Sequence, residues 1–511
     1  MSNALDRLVA AVARATRWHL PIVLAVCAAV YWPGLGGPGL RSSEGHRAIP
    51  GWTIAQTGEW VPTRLFEASY LRKPPGMPWA VALSTLIFGE REWSARAVSA
   101  LAATGMAVTA FLFARRWFGS KGHGSIAGLA AGLSQALLPV AWSIGRTTEI
   151  EALLCFTTQL SALLLIDLLV FQQPRAAATG TPPRAAAPAI WILTAGLALF
   201  ACLLVKGPAG LPVIGGVITA ACIAARSWRP LIAPRLWLTI AIALACSAAL
   251  VAATWSRISG EAAETESLSG FLWSVERLGK VAIFAPSVAV MMLPASLWLA
   301  FGLWRGVRDQ GPHGRVASAL AWSFVLGMAV SMAAGMWNPR YGLPAMATLA
   351  PLAGYVASAW ASGDLEASRR TLARRMCLGS PVVLACVLIV GVAANYAWFE
   401  PKSAARSTRP AGILVGKAVD HDAEIWASNV INTKPELLYY ARAEAATRGI
   451  HLRPLWLSRR IAACEMPPPR SYLALTPAEL AKYEAAGLST RFENVTQSTG
   501  DGMAFVIVQV R

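Results

Sequence analysis

Residues 41–78 read RSSEGHRAIPGWTIAQTGEWVPTRLFEASYLRKPPGMP and set Glu44, His46, Arg47, Arg72 and Lys73 between two apolar segments of a chain that otherwise avoids charge. Ionisable groups are costly to hold at the mouth of a hydrophobic bundle, so function explains them better than packing does. Outward from this loop the sequence is overwhelmingly apolar. Of 511 residues, 55% are hydrophobic and 14% charged, a composition suited to lipid and not to one water-soluble core. The expected fold class is a polytopic α-helical membrane protein.

Hydropathy places candidate spans near 19–35, 94–114, 125–143, 151–171, 189–205, 209–226, 236–254, 281–303, 316–335, 341–361 and 377–397. That is about eleven transmembrane helices, within a range of roughly ten to thirteen. Lys and Arg number 45 against 27 Asp and Glu, a formal charge of +18. Their location matters more than their sum. Alternate connections carry Arg14 and Arg17, Arg115 and Arg116, Arg175 and Arg184, Arg226 and Arg229, Arg305 and Arg308, and Arg369, Arg370, Arg374 and Arg375. By the positive-inside bias these ends are cytoplasmic, along with the N-terminus. The first loop (residues 36–93), the turns at 146–151, 206–208 and 337–340, and everything after about 400 then lie outside. The positive charge reports topology and contact with anionic lipid. Nucleic-acid binding is disfavoured, because no basic patch alternates with aromatic residues on a soluble segment.

The first apolar segment, PIVLAVCAAVYWPGL, runs into Trp32-Pro33 without a small-x-small cleavage site and reads as an uncleaved first helix. Seven of the eight cysteines lie in apolar spans, where a thiol behaves as a small hydrophobe; Cys464 alone lies in the tail. No disulfide framework or zinc motif follows.

Two domains are expected: a transmembrane domain over 1–400, and a small extracytoplasmic α/β domain over 401–511, where apolar runs shorten and turn signals multiply. In the tail, Glu424–Ser428, His451–Leu457, Ser471–Thr476 and Met503–Val510 read as strands. Pro435–Ala446 and Pro477–Ala486 read as helices, the second with Thr476 as N-cap and Gly487 as stop. The segment 172–188, rich in Pro, Ala and Gly, reads as a cytoplasmic linker. In the first loop, Ser43 is placed to cap a helix beginning at Glu44, and a second apolar segment runs from Met77 to Phe88. Both would lie along the membrane surface as amphipathic helices.

The run Glu59-Trp60-Val61-Pro62-Thr63-Arg64, then Tyr70-Leu71-Arg72-Lys73-Pro74-Pro75 and Leu86-Ile87-Phe88-Gly89, resembles the first periplasmic loop of the GT-C class of membrane glycosyltransferases. The aminoarabinose transferases acting on lipid A and the protein O-mannosyltransferases are the nearest in pattern. Arg146-Thr147-Thr148-Glu149-Ile150-Glu151, Lys206-Gly207-Pro208 and Asn338-Pro339-Arg340-Tyr341-Gly342-Leu343-Pro344 agree in order with later motifs of that class. The resemblance covers roughly the first 360 residues. One departure stands out. Where the class shows Asp followed by Glu, this chain has Ser43 and Glu44.

The resemblance implies a GT-C fold and transfer of a sugar from a polyprenyl phosphate to an acceptor hydroxyl on a lipid, glycan or protein, outside a bacterial inner membrane. Such a transfer uses a carboxylate to take the hydroxyl proton and cations to stabilise the departing phosphate. Glu44 is one candidate base, and otherwise an acid favoured by a helix N-terminus; Glu151 and Glu149 are the alternatives. Lys73, Arg340 and Lys206 suit the phosphate, or else snorkel to lipid headgroups. His46, Arg47, Tyr70 and Tyr341 complete the expected substrate-binding set. Trp52, Trp60, Trp79 and Trp337 form an interfacial belt or stack on sugar. The carboxylates would accommodate a divalent metal ion, although no spacing marks a metal site and no other cofactor is implied. Two other readings stand beside this one: a lipid or sugar transporter, which calls for broken helices and symmetry between halves, and a non-catalytic polyprenyl-lipid-binding scaffold, which the missing aspartate favours.

Overall fold

The computed structural model describes residues 16–119, 124–172, 186–258, 275–308, 311–361, 407–498 and 505–511, except 38, 42, 294 and 337, with scattered residues between 382 and 401. In chain order the principal helices are α1 (His19–Tyr31), α2 (Gly45–Thr57), α3 (Gly76–Phe88), α4 (Glu92–Trp117), α5 (Gly124–Ala136), α6 (Pro139–Ile144), α7 (Ile150–Ile166), α8 (Ala186–Lys206), α9 (Leu211–Ala225), α10 (Pro234–Ile258), α11 (Val275–Met291), α12 (Leu297–Arg308), α13 (Pro312–Ala333), α14 (Ala350–Ala361), α15 (Arg409–Ala418), α16 (Pro435–Ala446) and α17 (Pro477–Ala485). They divide between two compact units. One holds residues 1–33, 97–253 and 267–392; the other holds 34–96, 254–266 and 393–511, so the first loop and the tail share a unit.

The first unit is helical. Among the described residues five helices are long and apolar enough to cross a membrane: Glu92–Trp117, Ile150–Phe171, Ala189–Ala225, Pro234–Arg257 and Pro312–Ala333. Three expected spans are broken instead. That at 125–143 divides into α5 and α6 because Leu138, ahead of Pro139, is held in extended backbone (φ −66°, ψ 120°). That at 281–303 divides into α11, which ends at Met291, and α12, which begins at Leu297. That at 341–361 opens with tight turns over Pro339–Thr348, with Pro344 inside them, before α14 begins. The expected span at 377–397 lies largely outside the described residues, as does the linker at 172–188.

Helix α7 is buried on nearly every face, whereas α8 and α10 expose Leu193, Leu197, Trp237, Leu238, Leu244 and Val251. Such faces suit hydrocarbon, since the helical backbone leaves no polar group to satisfy. Helices α9 and α13 meet through glycine: a Cβ on Gly216 would stand 2.7 Å from the Gly327 nitrogen, the close approach that small residues permit between membrane helices. At the end of α7 the last turn widens, and Gln172 N–H reaches the Asp167 carbonyl at 3.0 Å. The buried Asp167 carboxylate accepts from Arg116 Nε at 2.8 Å, Trp117 Nε1 at 2.8 Å and Gln172 Nε2 at 2.6 Å. Burying a carboxylate without such donors is costly.

In the second unit, α2 and α3 pack against each other so closely that Gly51 has no room for a side chain beside Val81. A two-residue hairpin, β1 (Arg64–Leu65) with β2 (Ala68–Ser69), joins them. The tail forms a five-stranded sheet, in order β4 (Leu452–Trp456), β3 (Ala423–Ala427), β5 (Tyr472–Leu475), β7 (Phe505–Val510) and β6 (Phe492–Ser498). Strand β3 runs parallel to β4 and β5; β7 runs antiparallel to β5 and β6. The outer strand β4 carries Pro454, paired in register with Ile425, and β6 shifts register between Asn494 and Thr496. Trp426, Leu473, Leu475, Tyr483, Val508 and Val510 build a core.

Thr476 caps α17 as its sequence suggests: its hydroxyl accepts from Glu479 N–H, and the Glu479 carboxylate accepts from Thr476 N–H at 2.8 Å. Strand β6 and helix α15 had no clear signal in the sequence. FENVTQS is too polar to alternate, and α15 packs on α16 through Gly412 and Gly416, which carry no side chain to mark a buried face.

Candidate functional site

The expected site residues form two clusters, one in each unit. In the unit of the first loop and tail, helix α2 begins at Gly45, one residue later than expected. Its N-cap is Glu44, whose side chain makes no capping bond, and Ser43 lies outside the helix. The Glu44 carboxylate is drawn elsewhere. Its Oε1 accepts from Arg96 Nε at 2.9 Å, and its Oε2 from Arg96 Nη2 at 2.8 Å and Arg41 N–H at 3.0 Å. Arg96 spends its other donors on the carbonyls of Leu35 at 2.9 Å and Gly39 at 3.1 Å. Glu44 is 0% exposed. A bidentate guanidinium pair of this kind holds a loop in shape and occupies both carboxylate oxygens.

Two residues on, Arg47 Nη1 donates to Tyr70 Oη at 2.9 Å and to the His46 carbonyl at 3.2 Å. Arg72 Nη1 donates to Asn432 Oδ1 at 2.7 Å, tying the Y-x-x-K-P-P segment to the tail. His46 stacks loosely on Tyr70, with ring centroids 6.0 Å apart. Burial, then the charges of Arg47 and Arg72, push its pKa down to about 3, so the imidazole is neutral. One ring N–H faces the carbonyls of Ile431 and Asn432, while Nε2 has no partner among the described residues. Lys73 is half-buried in the turn before Pro74-Pro75.

The helical unit holds the second cluster. Glu151 lies in the first turn of α7, whose N-cap, Glu149, is extended (φ −99°, ψ 154°) and half-buried. Lys206 ends α8 and donates from Nζ to Glu151 Oε1 at 3.1 Å, with both side chains mostly buried. The Lys206-Gly207-Pro208 turn fixes this meeting. Gly207 takes the left-handed conformation (φ 58°) that ends α8, and a Cβ on Gly210 would lie 2.3 Å from Cys202 Sγ and 2.7 Å from Thr158 Oγ1. The Lys206 ammonium stands 5.1 Å from the Tyr341 ring centroid. Arg340, exposed, has its backbone N–H bound at 3.0 Å by Asn338 Oδ1 and lies within electrostatic reach of Glu151. Glu151 Oε2 has no partner among the described residues.

Thus Glu151, Lys206, Tyr341 and Arg340 come together, and so do His46, Arg47, Tyr70 and Arg72. Arg96, the partner of Glu44, was missed by sequence reasoning; it sits 52 residues away in an apolar helix, and only its cost in lipid could have singled it out. Among the described residues no three His, Cys, Asp or Glu side chains converge as metal ligands do.

The solved structure of ArnT from Cupriavidus metallidurans bound to undecaprenyl phosphate superposes on this chain with a TM-score of 0.68 at 18% identity, covering 97% of this chain and 98% of that one. Its apo state matches with a TM-score of 0.67. An undecaprenyl phosphate-α-4-amino-4-deoxy-L-arabinose arabinosyl transferase of Pseudomonas fluorescens is 33% identical over 102 residues, 20% of this chain and 18% of that protein. The family described as dolichyl-phosphate-mannose-protein mannosyltransferase matches residues 72–255. The chain has a GT-C fold related to that of the aminoarabinose transferases. The family match takes in Lys73, Glu149, Glu151 and Lys206, and leaves the Glu44 strut and the Arg340-Tyr341 turn outside it.

Proposed function

We propose that this GT-C-fold chain is a membrane glycosyltransferase that takes a sugar from a polyprenyl phosphate and passes it to an acceptor hydroxyl on the extracytoplasmic side. The buried Glu151–Lys206 pair with Tyr341 against it carries the reading. A cation kept at the end of a membrane helix by a carboxylate is a preorganised contact for a phosphate that gains charge as the anomeric bond breaks. In this reading Lys206 and Arg340 receive the leaving phosphate, and Glu151 positions Lys206. The saturated oxygens of Glu44 support a structural place for that acid.

Proteoliposomes of the full-length protein, supplied with radiolabelled undecaprenyl phosphate-linked 4-amino-4-deoxy-L-arabinose or mannose, are expected to move label into acceptor lipid or protein. Retention of label on both donors, with undecaprenyl phosphate still bound, would overturn the reading in favour of a lipid-binding scaffold, which the Ser43 substitution and the locked Glu44 support. Arg340→Ala is expected to lower kcat by roughly 10²-fold, the loss of one stabilising donor, with donor KM little changed. An unaltered kcat would remove Arg340 from the phosphate.

The outside placement of the first loop and tail has its own measurement. Cysteines at the exposed positions Thr57 and Thr447 are expected to react with an impermeant maleimide from the periplasmic side of intact cells. Reaction only after the inner membrane is opened would reverse the topology.

A further inference from the structure

Within the unit of the first loop and the tail, helices α2 and α16, the β1–β2 hairpin and the start of β4 line a groove of about 620 Å³. Ligand sites occupy roughly 300–1,000 Å³, so a small polar molecule fits it. The charged side chains that line the groove differ in how they are compensated. Arg453 is paired with Glu67 and stands 3.6 Å from Glu424, which neutralises that rim. Glu90 is not neutralised: its carboxylate accepts from Gln56 Nε2 at 2.5 Å and from Tyr439 Oη at 2.7 Å, both uncharged, and it has no cation partner among the described residues. Arg442 is the converse. Its guanidinium lies 5.9 Å from the Phe66 ring centroid and makes no hydrogen bond or ion pair among the described residues.

The two charges are set into the groove from one helix. Tyr439 and Arg442 are three residues apart on α16 and so share a face, which brings the Glu90 carboxylate held by Tyr439 to the side of the groove that carries Arg442. Burial, then the Glu90 charge, hold Tyr439 well above the ordinary phenol value, so its O–H remains a donor. An anion and a cation that line one groove without pairing with each other complement a ligand that bears both charges. The guanidinium fork suits a phosphate or carboxylate. Neutral capacity is present too: the Thr53 hydroxyl and Gln56 Oε1, one turn apart on α2, and the exposed His451 ring make no hydrogen bond among the described residues.

We propose that this groove binds a zwitterionic saccharide, an amino sugar that also carries a phosphate or carboxylate, with its anionic group on Arg442 and its ammonium on Glu90. The ring hydroxyls fall to Thr53, Gln56 and His451. The inference does not rest on the transferase reading: every residue it uses lies in the loop-and-tail unit, and no step of transfer passes through it. A sugar phosphate without an amine leaves Glu90 uncompensated, and a neutral sugar uses neither charge. A phosphoethanolamine headgroup bears both charges but has no ring hydroxyls to meet the α2 side chains.

Isothermal titration of the full-length protein in detergent at neutral pH, without any lipid-linked donor, tests this with glucosamine 6-phosphate as the probe. Saturable one-to-one binding is expected, with glucose 6-phosphate and glucosamine each weaker by about 10–100-fold, the loss of one charge-assisted contact. Arg442→Met keeps an apolar stem over Phe66 and removes the fork; it should bind glucosamine 6-phosphate no better than it binds glucosamine. Glu90→Gln should bind glucosamine 6-phosphate and glucose 6-phosphate alike. Each variant is compared between two ligands, so a change in its stability does not imitate the result. No binding by the wild type, or wild-type ligand preferences in both variants, would overturn the proposal. Equal affinity for O-phosphoethanolamine would overturn the saccharide as the ligand. Label transfer in proteoliposomes reports on the transferase reading separately, whichever way the titrations fall.

Discussion

Arg96→Ala should destabilise the full-length protein by about 3–5 kcal/mol, the penalty of breaking a buried ion pair from one side. The variant removes the guanidinium from the fully buried Glu44 carboxylate and releases the carbonyls of Leu35 and Gly39. Thermal unfolding in detergent, read at a pH where carboxylates are ionised, measures it. The double variant Arg96→Met with Glu44→Gln should recover most of the loss, because neither residue then carries a buried charge. A single variant within about 1 kcal/mol of wild type would mean that the pair is not a strut, and Glu44 would regain its standing as a candidate base.

Lys206→Ala is expected to have two effects that separate. It leaves Glu151 as a buried, unpaired carboxylate, a cost of about 3–5 kcal/mol in stability. In the transferase reading it also removes a cation from the departing phosphate, a loss of about 2.7–4 kcal/mol, or 10²–10³-fold, in kcat. Lys206→Met with Glu151→Gln distinguishes the two. The double variant should regain its unfolding temperature, since no unpaired charge remains, and should stay slow. Full activity in the stable double variant would make Glu151–Lys206 a packing device and would move the phosphate contact to Arg340.

What the sequence disclosed depended on how local each cause is. Hydropathy marked the lipid-exposed helices, whose composition alone reflects their surroundings, and the Thr476-Pro477 cap and the Tyr472–Leu475 run are written within a few residues. Helix breaks at Pro139 and Pro344 were overlooked because apolar residues continue on both sides. The site was legible as a set of residue types and not as pairs. Nothing local joins Lys206 to Glu151 across 55 residues or Arg96 to Glu44 across 52.

The outer strands of the tail sheet carry a last consequence. Pro454 stands in β4 and offers no N–H for a further strand to accept, Arg453 beside it is paired with Glu67, and the register shift in β6 twists that margin out of line. Sheet margins blunted in this way do not template a neighbour's backbone. Copies crowded in one membrane can therefore present these tails side by side without zipping into aggregates.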